Sequence, residues 1–289
     1  MNPAHNLPYL AQRVFNTPLA LHPSKAEMVM AAVGERFGVT KVFSSIRPMA
    51  MEDDDFNGGG ESEAWTLPVT EQGIALIPVQ GMLVGKLGCL HPWCGMTGYD
   101  GIRANFVQAF NDPDVKAIIL DIDSPGGEVG GCFDLADMIF AARGKKPIWA
   151  VLNENAFSSA YALASAADRI CVPRTGGTGS IGVIALIADM SQALKDSGVT
   201  VNIIQFGARK ADGYPEIPLA PEARKRFQAD VNAIGQLFVN TVARNRRVKS
   251  SAVAAQQAVT FMGQAGVRAG LADYVCAPDA AYRALVREL

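Results

Sequence analysis

Ala117–Gly127 read AIILDIDSPGG, and the reading of this stretch decides the fold. Ala117–Ile122 form a short apolar run closed by an Asp-Ser-Pro-Gly-Gly turn, the pattern of a buried strand rather than a half-exposed alternating one. Two glycines directly after such a strand let the backbone turn tightly and leave N–H groups to point at a ligand oxygen. For the motif alone, a plain turn explains the residues as well.

The same pattern repeats on both sides of this stretch. Ile74–Val79, Ile148–Leu152, Arg169–Val172 and Val201–Phe206 are further short apolar runs with strand character. Between them Tyr99–Asn111, Val129–Arg143, Ser158–Ala167 and Ala188–Ser197 carry helical spacing. Strands alternating with helices predict an α/β fold around a mostly parallel sheet. Pro221–Arg246 begins with proline at a helix start and sets Phe227, Val231, Ile234, Phe238 and Val242 on one face, a packing stripe. Towards the N-terminus, Met28, Val29, Ala32, Val33 and Phe37 predict a short amphipathic helix. Met51–Glu63 (MEDDDFNGGGESE) is acidic and glycine-rich, with too little apolar surface to fold alone. The expected division is therefore an N-terminal helical segment over 1–50, a linker over 51–64 and a catalytic domain over 65–289, of which 220–289 form a helical arm.

Composition narrows the function. Hydrophobic residues at 49%, charged residues at 19% and a net charge of −2 fit a soluble globular protein and leave no basic surface for nucleic acid. The Arg244–Arg247 cluster reads as a solvated helix end. The first thirty residues are broken by Pro3, Pro8, Pro18 and Pro23, so neither a signal peptide nor a membrane span is expected, and the location expected is the cytoplasm. Cys89, Cys94, Cys132, Cys171 and Cys276 are an odd number, three of them scattered in apolar runs, and read as reduced thiols. Cys89, His91 and Cys94 lack a fourth ligand at regular spacing, so no metal is expected, nor any cofactor.

The chain has 3 histidines: His5 and His22 in the proline-broken segment and His91 in a loop. None follows a strand near a candidate nucleophile, so a hydrolase here needs another base. Phe157–Leu163 (FSSAYAL) places Ser158 at a strand-to-helix transition, where the helix N-terminus favours the negative charge that develops in acyl transfer. Ser158 as a simple N-cap explains the position equally well. Thr178–Val183 read TGSIGV, and Gly207–Asp212 read GARKAD after the run VNIIQF. Lys210 thus follows an apolar run rather than a charged helix face. A lysine acts as general base only where burial depresses its pKa well below about 10.4, and Arg209 is excluded because guanidinium does not deprotonate.

Taken in order, these motifs resemble the signal peptide peptidase A family of Ser–Lys proteases, relatives of the Clp protease and crotonase folds. The matching stretches are Asp123–Gly127, Ser158–Tyr161, Ala166–Ile170, Thr178–Val183, Gly207–Ala211 and the closing Gly263–Asp273. The resemblance implies a Clp/crotonase-like fold of repeated ββα units with a C-terminal helical arm. It implies Ser158 as nucleophile, Lys210 as base, Ser180 as the residue orienting the lysine amine, and the backbone N–H groups of Gly127 and Ser159 as oxyanion hole. Where family members often have glycines after the nucleophile, this chain has Ser159 and Ala160. The opening NLPYLAQRVFNTPLALHPSKAE and Gly95–Gly101 (GMTGYDG) are similar to the lambda-type phage capsid assembly proteases. That likeness implies scaffold or portal proteins as substrates within the prohead, and the apolar stripe of Pro221–Arg246, with the ring assembly of related folds, leads us to expect a homo-oligomer. Alternatives are a soluble signal-peptide peptidase, a non-catalytic capsid scaffold protein, and a crotonase-type hydratase with Glu128 as base.

Overall fold

The structure, a computed structural model, describes residues 18–21, 65–93 and 95–289. The helix expected at 28–37 and the acidic linker lie outside the described residues.

Strand β1 is Pro18–Leu21, and the next strand is β2, Ile74–Val84. Then come β3 (Met96–Gly98), α1 (Tyr99–Asn111), β4 (Ala117–Glu128), α2 (Cys132–Ala141), β5 (Ile148–Phe157) and α3 (Ser159–Ser165). They are followed by β6 (Arg169–Val172), β7 (Gly177–Gly179), β8 (Ile184–Ala185), α4 (Ser191–Asp196) and α5 (Pro221–Arg246). The C-terminal elements are α6 (Ser250–Ala254), β9 (Thr260–Met262), α7 (Gln264–Arg268), β10 (Tyr274–Val275) and α8 (Pro278–Glu288).

The centre of the sheet is parallel, in the order β2-β4-β5-β6-β10. Its residues are apolar on both faces because both faces are covered. Ile77, Ile118, Leu120 and Leu152 point into a core shared with Ile102 and Phe106 of α1, Leu135 and Ile139 of α2, α3, and Phe238 and Val242 of α5. Ile74, Ile119, Trp149 and Val151 meet Ala281 and Leu285 of α8 on the other face. Each large side chain removed from water in this way contributes about 1.5–3 kcal/mol.

Two departures from the sequence pattern bear on function. Val201–Phe206 form no strand. Ile204 and Phe206 are each 100% exposed, so no sheet edge among the described residues offers this run the ladder partner a strand requires. Helix α2 starts at Cys132 rather than Val129, because Gly131 takes the left-handed φ of 91° at its N-cap.

The sheet also splits. β4 and β5 stay paired as far as Ser124↔Ala156, with a register shift after Ile122. Beyond that point β5 leaves to pair with β7 (Phe157↔Gly179). β4 continues beside β2 (Leu83↔Gly127) and takes β1 as an antiparallel neighbour on its other side (Ala20↔Gly127). Diverging carboxyl ends of parallel strands are where open α/β sheets place ligands.

Candidate active site

Ser158 sits where β5 ends, at the mouth of this split. Its backbone has φ 54° and ψ −123°, a left-handed conformation that costs a non-glycine residue on the order of 1–3 kcal/mol. The strand pairing of Phe157 with Gly179 and the bond from Ser158 N to Gly179 O (2.9 Å) hold it there. Ser158 occupies the N-cap position of α3, yet its side chain makes no capping hydrogen bond. Its hydroxyl instead lies 3.5 Å from the carbonyl oxygen of Gly182. A helix cap does not need this torsion, whereas a hydroxyl presented on a tight strand-to-helix turn does.

The DSPGG turn faces it across the split. Gly126 has φ 97°, and a Cβ there would lie 2.9 Å from Ser158 Cβ and 2.2 Å from the carbonyl oxygen of Ala20. Gly127 is pressed even closer to β2, since a Cβ would fall 1.9 Å from Leu83 O. Both glycines are therefore required by approach, Gly126 also by its torsion. Ser124 fixes the turn from within: its hydroxyl donates to Gly81 O (2.6 Å) and accepts from Gly126 N (3.1 Å). Ser180, the third expected residue, is buried with φ 55° next to the Gly179 carbonyl that anchors Ser158.

Ser159, the neighbouring hydroxyl, is fully buried in the first turn of α3, and its carbonyl accepts from the Cys132 thiol (3.6 Å). Burial pushes that thiol up to about 12, which leaves it inert as a nucleophile. Glu128, the carboxylate a hydratase would use, accepts a hydrogen bond from Gly85 N (2.7 Å).

Lys210 is the expected residue the structure does not bring in. It lies exposed in the turn after Gly207, and no hydrogen bond joins it to Ser158 or Ser180 among the described residues. Ser158 and Ser180 lie beside Gly179, across from Gly127, with Ser159 next in the helix, while Lys210 and the run before it are exposed.

The remaining motif residues build the frame around Ser158. Tyr161 is buried and donates to Leu271 O (2.8 Å), tying α3 to the segment before β10. Asp168 accepts from Ile148 N (2.9 Å) and Asp273 from Ile170 N (2.7 Å), so each carboxylate fixes the start of a strand. Arg246, with its side chain 8% exposed, grips Asp273 through two nitrogens at 2.7 and 3.0 Å. Arg143 closes the far end of α3 by donating to Ser165 O and Ala166 O, both at 2.7 Å. Nothing in the charged run ARGKKP marks Arg143 as a clamp, because its partners are carbonyls that leave no trace in sequence.

A family model, peptidase family S49, matches residues 141–289, a little over half of the chain and the part that carries Ser158, Ser180 and Asp273. The chain belongs to peptidase family S49. Among curated S49-like relatives, the head-tail preconnector protein GP5 of Enterobacteria phage P21 is 40% identical over 275 residues, covering 93% of this chain and 55% of that protein. Capsid assembly protease C of Escherichia phage lambda is 37% identical over 279 residues, covering 93% of this chain and 63% of that protein. A putative signal peptide peptidase SppA of Enterococcus faecium is 30% identical over 181 residues, covering 61% of this chain and 52% of that protein. The chain thus spans less than two thirds of the length of each of these relatives. As an S49 chain it shows no helix, among the described residues, long and apolar enough to cross a membrane.

Proposed function

We propose that this chain is a serine endopeptidase on a Clp/crotonase-like scaffold that cleaves scaffold and other capsid proteins during phage head assembly. The observation that carries the peptidase reading is the strained backbone of Ser158, whose hydroxyl makes no capping bond and whose Cβ lies against the glycine turn across the split. Ser180 also has a positive φ, but of the two serines it is Ser158 that stands at the strand-to-helix turn, and strain kept there in a family S49 chain supports its use as a nucleophile.

In this reading Ser158 Oγ attacks the scissile carbonyl carbon while its proton passes to the Lys210 amine. The carbonyl oxygen becomes an oxyanion held by the N–H groups of Gly127 and Ser159. Collapse expels the amine of the leaving peptide, protonated by the lysine, and leaves an acyl ester on Ser158. Water, deprotonated by the same amine, attacks the acyl carbon; the bond to Ser158 Oγ breaks, the acid product leaves, and the ammonium returns its proton to Ser158 Oγ. Ser180 would orient the amine.

Lys210 must leave solvent to serve, since an amine surrounded by water stays protonated at neutral pH. The exposed run before it, with Val201, Ile203, Ile204 and Phe206 uncovered, supports a homo-oligomer in which a neighbouring copy covers this segment. Related folds assemble into rings, which makes this part an argument by analogy.

The capsid role rests on the two phage relatives matching 93% of the chain, against 61% for the signal-peptide-peptidase relative. The second reading, hydrolysis of released signal peptides, rests on that shorter match. Co-expression with the scaffold and coat genes beside its own separates them. With the wild-type chain, scaffold should disappear from assembled heads; with Ser158→Ala it should persist. Heads that lose scaffold and mature normally with Ser158→Ala would overturn the capsid role and any catalytic part in it.

A further inference from the structure

β1 lies in the place where a peptide substrate belongs. Its four residues come from the N-terminal segment, far from the catalytic region in sequence, yet they enter the split between β4 and β8. Leu19 pairs with Glu128 on one side and Ile184 on the other, and Ala20 pairs with Gly127. Both pairings are antiparallel, so the segment is sandwiched as an extended strand between the glycine turn and the strand that follows TGSIGV. Recognition by strand addition has this form: main-chain bonds give affinity, and pockets for alternate side chains give specificity.

The contacts reach the nucleophile. A Cβ at Gly126 would meet the Ala20 carbonyl oxygen at 2.2 Å, Ser158 Cβ at 2.9 Å and the Phe157 carbonyl oxygen at 3.0 Å. With β1 in place, Ser158 is 1% exposed, a state in which no external peptide bond can reach its hydroxyl. The side chains are also accommodated rather than merely tolerated. Leu19 is buried against Met82, Ile184 and Leu186, and Ala20 is buried within the main core.

We propose that the slot between β4 and β8 is the peptide-binding site of this enzyme and that Pro18–Leu21 is its internal occupant, holding the protease closed until the segment is displaced. The inference rests on the peptidase reading above. The occupant also defines the ligand class. The slot takes an extended peptide with a bulky aliphatic residue where Leu19 sits, followed by a small one where Ala20 packs beside the glycine turn. A larger side chain in the Ala20 position would enter the core, so substrates carrying aliphatic–small pairs should be cut ahead of those carrying aliphatic–aromatic pairs.

A reversible lock tests this in the full chain. Leu19 and Ile184 are direct antiparallel partners, a spacing of about 4.5–5.5 Å between Cα atoms that a disulfide spans. The Leu19→Cys/Ile184→Cys double variant is oxidised, and mass spectrometry verifies the cross-link. Hydrolysis of fluorescein-labelled casein and labelling of Ser158 by a fluorophosphonate are then measured before and after dithiothreitol. The expected result is at least a tenfold rise in both rates on reduction. A cross-linked form that labels and cleaves as fast as its reduced form overturns the proposal. Absence of Ser158 labelling after reduction, with casein uncut, overturns the peptidase reading instead.

Leu19→Asp gives an independent check, because a carboxylate does not stay buried against Met82, Ile184 and Leu186. This variant should label Ser158 several-fold faster than wild type. Labelling at the wild-type rate or below contradicts the proposal.

Discussion

Gly127→Ala puts one methyl group where the structure has no room. The new Cβ would lie 1.9 Å from Leu83 O and 2.6 Å from the Leu83 carbonyl carbon and nitrogen. All three are backbone atoms in a paired strand, so no side chain can rotate away. Normal separation between non-bonded heavy atoms is about 3.5–4.0 Å, so the turn must move from β2 by at least about 1 Å. A displacement of that size costs on the order of 10²-fold when it misplaces a catalytic group. Loss of one oxyanion donor outright costs about 10²–10³-fold in kcat, or ~2.7–4 kcal/mol. Overpacking adds a stability cost of about 1–3 kcal/mol, which in a domain of this size lowers Tm by about 2–4 °C for each kcal/mol. Gly130→Ala is the matched control, because a Cβ there meets nothing within 4 Å. Initial rates on labelled casein and thermal unfolding by circular dichroism read both effects. The expected outcome is a hundredfold or greater fall in kcat for Gly127→Ala and near wild-type behaviour for Gly130→Ala. A Gly127→Ala enzyme with wild-type kcat would refute the oxyanion role of this turn.

Three further outcomes are expected. Lys210→Ala and Lys210→Arg should both lose proteolysis, arginine failing because it stays charged; casein cleavage by the arginine variant at wild-type rate would remove Lys210 from the mechanism. Tyr161→Phe leaves the buried Leu271 carbonyl without its 2.8 Å donor and should destabilise by about 1–3 kcal/mol, measured as a lower midpoint in chemical denaturation. Asp100 is partly buried, which alone would raise its pKa, but the N–H groups of Leu87 and Gly88 outweigh this and hold the carboxyl below its usual range. Stability from this group is present above the unfolded value of about 3.9 and is lost as pH falls through the lower folded value. The Tm gap between wild type and Asp100→Asn should therefore be open at neutral pH and close only in strong acid.

The parallel sheet was legible because its strands are buried on both faces, and AIILDI or IWAVL carry that signal in a few residues. Arg169–Val172 and Tyr99–Asn111 match the expected bounds. Val201–Phe206 carries the same apolar signal and forms no strand, because composition records the wish to be covered and not the partner that does it. The grouping of Ser158, Ser180 and the glycine turn was implied by the family resemblance that the ordered motifs carry, whereas each motif alone reads equally as a cap or a turn. Arg143 and Asn245, which close α3 through Ser165, were not legible, since their partners are a carbonyl 22 residues away and a hydroxyl 80 residues away, with no pattern to mark them. β1 was hidden for a different reason: four residues, PLAL, in a proline-broken segment give no periodicity to read.

The central claim is that Ser158 is the attacking group. The direct measurement is incubation of the chain with a fluorophosphonate probe, followed by peptide mapping of the adduct. One modified residue, Ser158, is expected, with labelling lost in Ser158→Ala and kept in Ser159→Ala, and casein cleavage falling by about 10⁶-fold in the first variant alone. An adduct on Ser159 or Ser180, or casein cleavage by Ser158→Ala near the wild-type rate, would contradict it.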